Sequence, residues 1–281
     1  MKRLIVTADD FGRSRAVNDA VETAHAEGIL TTTCLMVGAD DAEDAAARAR
    51  RIKTLGVGLH VVVVCGRPVL PQKDIPDLVD DSGAFETDLV RAGVRFFFLP
   101  KVRRQLAQEI RAQFEAFRAT GLALDHVNAH NHMHLHPTVL GLIIAIGRDY
   151  GLKAVRVPDE PASVPGSAAP GLGQAIGRMF LGLWLGLMRW RLRRAGLSFN
   201  DRVYGIRHSG AMDRARVLAV IQNLPAGVTE VFSHPARGDW DGVDPAAADY
   251  RFEDEFQALV DAEVAAAVTA SGADLISFRD L

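Results

Sequence analysis

The 281-residue sequence predicts an α/β fold: a (β/α) barrel, related to the TIM barrel, with a parallel barrel and two insertions at about 67–100 and 158–200. Three observations lead there. Short apolar runs alternate with amphipathic helical stretches along the whole chain, the pattern of a parallel sheet covered by helices. There are about seven or eight such units, which suits a barrel. No GxGxxG is present, which argues against a dinucleotide-binding sheet. Neither an internal repeat nor a clear linker divides the chain, so one domain over 1–281 is expected.

The elements follow in order. Leu4–Thr7 reads as a buried strand closed by polar residues. Ser14 can cap a helix whose Val17, Ala20, Val21 and Ala24 share one face, and Gly28 ends it. Thr31–Val37 is a second strand, Ala42–Lys53 a helix, and Val57–Val64 a third strand containing His60. After Gly66 the pattern breaks into prolines, acidic residues and the apolar patch Phe96–Leu99, which reads as an insertion. Val102–Thr120 is helical, Asp125–Asn128 a strand, and Pro137 opens a helix to about Arg148. Ala154–Val157 is another strand, and residues 158–200 form the second insertion. Val203–Ile206, Val228–Phe232 and Asp274–Phe278 read as strands. Ala211–Asn223 and Phe252–Ser271 read as helices.

Composition narrows the function. With 48% hydrophobic and 24% charged residues and a formal net charge of −3, nothing argues for a nucleic-acid partner. Cys34 and Cys65 are too few for a disulfide framework and read as buried free thiols, which fits a cytoplasmic protein. The N-terminal apolar run is too brief for a signal peptide. Met179–Met188, MFLGLWLGLM, is too short to span a bilayer. It reads either as a buried or lid helix, or, with the arginines that follow, as a peripheral membrane contact over 179–194, at the inner membrane.

Chemistry concentrates at the carboxyl ends of the strands, where such barrels gather their active residues. The first strand runs into Asp9-Asp10, the third carries His60, the fourth runs into a histidine-rich segment, and Val228–Phe232 runs into His234. Adjacent aspartates would point apart in an extended chain, but a turn at the strand end lets both face one site. One can bind metal while the other acts as a base, and a divalent cation removes the cost of crowding two carboxylates. In the segment from His126 to His136 all five histidines and Asn128 occupy even positions, so any extended part puts them on one face. One or two of them are expected as ligands, the rest as supports or substrate contacts. Two imidazoles and one carboxylate leave coordination positions open, as a catalytic metal site requires.

Five segments carry a resemblance: Thr7-Ala-Asp-Asp-Phe-Gly12, Gly58-Leu-His60, Asp125-His-Val-Asn-Ala-His-Asn-His-Met-His134 with Pro137, Arg156-Val-Pro158, and Glu230-Val-Phe-Ser-His-Pro-Ala236. In this order they resemble the YdjC-like carbohydrate deacetylases, and the Asn128-Ala129 variant with the apolar insertion resembles the hopanoid-biosynthesis-associated branch. The resemblance implies a barrel-like hydrolase that removes acetyl groups from N-acetylated amino sugars, here an N-acetylglucosaminyl hopanoid lipid. It implies one divalent metal ion, Mg2+ or Zn2+, held by Asp10, His60 and His130. It makes Asp9 the general base, His234 the general acid, and His132, His134 and Arg156 substrate-binding residues. Asn128, Ala129 and Asn131 stand where family members often have Asp, Ser and His.

A metal-dependent phosphoesterase would want a cation inside the Asp-Asp or histidine motifs, and none is there, although Arg156 and Arg237 lie near other strand ends. A different amidase, or a sugar- or metal-binding protein without catalysis, would use the same ligands. A homodimer is the expectation from general frequency.

Overall fold

The computed structural model describes residues 1–163, 172–240 and 243–281, with side chains in the helix that begins at 172 described from 181 onward. The strands are β1 (Lys2–Phe11), β2 (Thr32–Leu35), β3 (Gly56–Val61), β4 (Val127–Ala129), β5 (Arg202–Tyr204), β6 (Gly227–Ser233) and β7 (Ala273–Leu275). The helices are α1 (Arg15–Glu27), α2 (Ala42–Arg51), α3 (Leu89–Phe98), α4 (Pro100–Ala119), α5 (Pro137–Gly147), α6 (Leu172–Arg194), α7 (Arg214–Gln222), α8 (Phe252–Val260) and α9 (Ala262–Ser271). Every strand pairing is parallel, in the order β4-β3-β2-β1-β6-β5, with β7 beside the start of β1. The stretch 154–159 closes the ring. Val127 N donates to Ala154 O, Arg156 N to Val127 O, Val155 N to Ser198 O and Val203 N to Asp159 O, so it bridges β4 to the approach to β5. The expected α/β barrel is the observed fold.

Strand periodicity sorts the side chains into inside and outside. Along β1, Leu4, Val6 and Ala8 join Val17, Ala20, Val21 and Ala24 of α1 in the main core. Ile5 points the other way and packs with Ala154, Val228 and Phe278 in a separate small cluster at the barrel's floor. Above it stand Thr7 and Glu230, whose side chains are hydrogen-bonded at 2.7 Å, and above these Asp9. The lumen is thus apolar at the bottom and increasingly polar towards the carboxyl ends of the strands. Ser14 caps α1 by accepting from Val17 N at 3.2 Å. Gly28 ends it where a Cβ would lie 2.1 Å from Leu259 O, so only glycine fits.

Several local expectations change. Ala154–Val157 makes bridges rather than a full strand, because its neighbour at Ser198 pairs over a single residue. The apolar patch at Phe96–Leu99 is the end of α3, capped by Asp88, which accepts from Val90 N and Arg91 N. Phe252–Ser271 is two helices, because Asp261 adopts an extended backbone and caps α9. Met179–Met188 lies within α6; its first two side chains, and residues 164–171 of the second insertion, lie outside the described residues. No helix among the described residues is long and apolar enough to cross a membrane. Cys34 is buried as expected, but Cys65 is only half-buried, in a left-handed turn at φ 50°.

Candidate active site

The carboxyl ends of β1, β3 and β4 bring Asp10, His60 and His130 together. Asp10 has φ 65° and Gly12 φ 94°, so β1 turns sharply where it ends. That turn lets the adjacent carboxylates of Asp9 and Asp10 both reach the same cleft. Arg13 holds Asp10 Oδ2 at 2.9 Å. The other oxygen, Oδ1, is buried with no hydrogen-bond donor and lies 3.2 Å from His60 Nε2 and 3.3 Å from His130 Nδ1. The two imidazole nitrogens are 3.3 Å apart. Two imidazole nitrogens and an unpartnered buried carboxylate oxygen converge into a three-atom donor set that fits a divalent cation. His60 Nδ1 contacts Asn128 Oδ1 at 2.8 Å, which leaves Nε2 facing Asp10. Burial would raise the Asp10 carboxyl, but His130 and His60 overcome it and hold it well below the usual range. Burial pulls His60 down, yet the Asp10 and Asp9 carboxylates beside it hold it above its ordinary value.

Asp9 is fixed from below. Arg156 donates to both its oxygens, at 2.6 and 2.8 Å, and to Glu230 Oε1 at 2.9 and 2.7 Å. Asn128 adds a bond to Asp9 Oδ1 at 3.2 Å, and the Cys34 thiol another at 3.1 Å. Burial acts to raise the Asp9 carboxyl, but the charge and hydrogen bonds of Arg156 outweigh it, so Asp9 stays ionised far below the normal range. Cys34 is pushed well up by burial and by Asp9, so it remains a neutral thiol. Arg156 is fully buried and sits 4.8 Å over the Phe232 ring. It does not line the cleft. The substrate contact expected of it is therefore corrected to a support for Asp9, because its guanidinium is wholly engaged by two carboxylates.

The five histidines divide. The strand ends at Ala129, and residues 130–135 coil into a 3₁₀ turn with Asn131 and His132 left-handed, so the even positions do not share a face. His126 lies lower in the barrel, bonded to Asp125 at 3.0 Å and stacked on Phe278. A Cβ on Gly58 would meet its ring at 2.5 Å, so that glycine makes room for it. His130 faces Asp10, and His132 lines the cleft. Burial and the Arg156 charge push His132 down to about 3, so its ring is neutral at ordinary pH. His134 is fully buried and outside the cleft wall, which corrects the substrate contact expected of it. Burial and His132 hold it well below its ordinary value. His136 caps α5 by accepting from Thr138 N.

His234 also lines the cleft, after β6, with Tyr250 and Phe232 against its ring. Its backbone N–H donates to Glu255 Oε2 at 2.6 Å, and its Nδ1 lies 3.9 Å from the same oxygen. Glu255 is fully buried, its carboxyl raised by burial despite His234 and two backbone donors. The expectations from sequence include neither Glu230 nor Glu255 at the site, and for Cys34 only a buried thiol. For Glu230 a signal existed: it alternates with Val228 and Phe232 on the inward face of an apolar strand, where a carboxylate needs a partner. Arg237, near a strand end in sequence, bonds Thr23 and lies over Phe256, away from the cleft.

The cleft encloses about 260 Å³ between Asp9, Asp10, His60, His130 and His132 on one side and Ile206, Ser209, His234, Asp244 and Tyr250 on the other. Ser209 and Tyr250 share a hydroxyl hydrogen bond of 2.8 Å on its wall. The pattern of the YdjC-like protein family matches residues 3–270. A carbohydrate deacetylase of Geobacillus stearothermophilus is 30% identical over 278 residues, 98% of this chain and 96% of the relative. One from Brevibacillus brevis is 40% identical over 156 residues, 56% of this chain and 59% of the relative. A solved structure from Enterococcus faecalis, described as a cellobiose-phosphate cleavage protein, shares the fold. Its TM-score is 0.74 at 24% identity, covering 99% of this chain and 98% of that one.

Proposed function

The chain belongs to the YdjC-like family, and from that premise we propose that it is a metal-dependent hydrolase that removes the acetyl group from an N-acetylated amino sugar. The observation that carries this reading is the unpartnered Asp10 Oδ1 between His60 and His130, at a cleft that also holds Asp9 and His234. The names of the relatives point to the same chemistry.

Asp10, His60 and His130 would hold the ion, magnesium or zinc. Such an ion would polarise the amide carbonyl and acidify water. Asp9, kept ionised and oriented by Arg156, takes a proton from the attacking water as its oxygen bonds to the acetyl carbon. His234 gives a proton to the amine nitrogen as the carbon–nitrogen bond breaks, so acetate and a free amino sugar leave. Glu255 positions His234 through its backbone. Neutral His132 and the Ser209–Tyr250 hydroxyl pair offer hydrogen bonds to the sugar. Arg156 and Arg237, which kept a phosphoester in play, do not reach the cleft, and Arg13, which does line it, is engaged by Asp10. The finer substrate is an acetylated sugar carried on a hopanoid lipid.

Acetate release from a soluble N-acetylglucosamine oligomer and from an N-acetylglucosaminyl hopanoid, each with and without a chelator, tests the reading. Chelator-sensitive release supports the hydrolase, and release from the lipid alone supports the finer substrate. An Asp9→Asn protein should keep its metal and lose turnover. Absence of release from both substrates sinks the proposal.

A further inference from the structure

We propose that α3 and α6 together form a face that docks on a bilayer carrying anionic lipid, setting the cleft mouth beside the membrane. Thirteen large apolar residues are left exposed among the described residues; nine of them lie on these two helices and a tenth, Leu99, directly follows α3. On α3, Val90, Val94 and Phe97 form an exposed stripe at i, i+4, i+7, with Phe98 beside it at 68% exposure. On α6 the same spacing recurs in Leu183, Leu187 and Trp190, while Leu185, Met188 and Leu192 turn inward to the core. A helix apolar on both faces needs a second apolar partner.

The two stripes flank one point. Trp184 Nε1 donates to Leu135 O at 2.7 Å, and the Phe97 ring lies 6.2 Å from that of His136, the next residue. Leu89, at the start of α3, is itself in the cleft wall. Exposed apolar patches of this extent mark interaction sites.

Charge selects the partner. Residues 89–108 and 161–200 carry five lysines and arginines each and not one carboxylate, in a chain of 32 basic and 35 acidic residues. Arg193 and Arg194 are exposed at the end of α6, and Arg103 and Arg104 at the start of α4, while Arg91 on α3 is paired with Glu86 at 3.2 Å. Tryptophan and phenylalanine ringed by arginine suit the headgroup region of an anionic bilayer. A second copy of the chain would instead bring two arginine-rich faces together. The contact expected over 179–194 is thus one half of a larger face whose other half is α3. This inference does not depend on the reaction at the site.

Flotation of the full chain tests it, using vesicles of phosphatidylcholine and of equal parts phosphatidylcholine and phosphatidylglycerol. Binding is expected to the anionic vesicles only, weakening with salt. Phe98→Glu and Trp190→Glu, both at exposed positions, should each reduce binding about tenfold or more. Arg193→Ala and Arg194→Ala should each cost about fivefold. Circular dichroism and acetate release from a soluble sugar should stay unchanged in all four. A wild-type chain that ignores anionic vesicles, or binding that survives Phe98→Glu and Trp190→Glu together, overturns the proposal. So does a dimer, seen by light scattering, that the same variants abolish while vesicles stay unbound.

Discussion

Replacing Arg156 by methionine keeps the apolar stem and removes the charge between Asp9 and Glu230. The guanidinium makes four hydrogen bonds of 2.6–2.9 Å to two buried carboxylates. Removing one partner of a buried ion pair costs about 3–5 kcal/mol, because the charge left behind has neither water nor a counter-ion. Asp9 retains Asn128 and Glu230 retains the Thr7 hydroxyl, which argues for the lower half of that range. At about 2.1 cal/mol/K of unfolding entropy per residue, a chain of this length loses roughly 5–7 °C in Tm. Thermal unfolding followed by circular dichroism at pH 7 reads the loss. The diagnostic comparison is the double variant Arg156→Met with Glu230→Met. Since it removes one of the two stranded carboxylates, it should melt above the single variant. Acetate release should fall by about a hundredfold or more in both, because Asp9 loses its orientation. A single variant that melts with wild type, or a double variant less stable than the single, would refute the argument.

Two further outcomes follow from the same structure. Asp125 is a buried carboxylate held below its ordinary value: burial raises it, but His126, the Arg279 backbone N–H and Thr32 more than compensate. Its contribution is complete above the unfolded carboxyl value near 4 and is lost as pH falls through and below it. Asp125→Asn should cost about 1–3 kcal/mol at pH 7 and flatten the acid side of a Tm-against-pH curve; parallel acid limbs would contradict this. Glu255→Gln should slow acetate release through His234, and adding it to His234→Ala should cost little more activity. Fully additive losses would show that Glu255 acts elsewhere.

The barrel and the position of the chemistry were legible because both follow from local periodicity. A short buried apolar run ends where polar residues begin, and in a parallel barrel those ends share one mouth. Asp9, Asp10, His60, His130, His132 and His234 all stand at that mouth. The helix α3 was hidden by the prolines and acidic residues before it, and the break at Asp261 by the continuous apolar pattern across it.

What the sequence determined is which residues end each strand. What only the tertiary structure decided is what each of them faces. Even spacing among the histidines implied a common face, but two left-handed residues after Ala129 coil the chain and send His134 and His136 elsewhere. The Arg156 guanidinium meets Asp9 and Glu230 across 147 and 74 residues, and no local pattern encodes that meeting. A dihedral preference acts between neighbours in the chain. The partner of a buried charge such as Arg156 is fixed only when the closed barrel excludes water and leaves one arrangement in which that charge is paired.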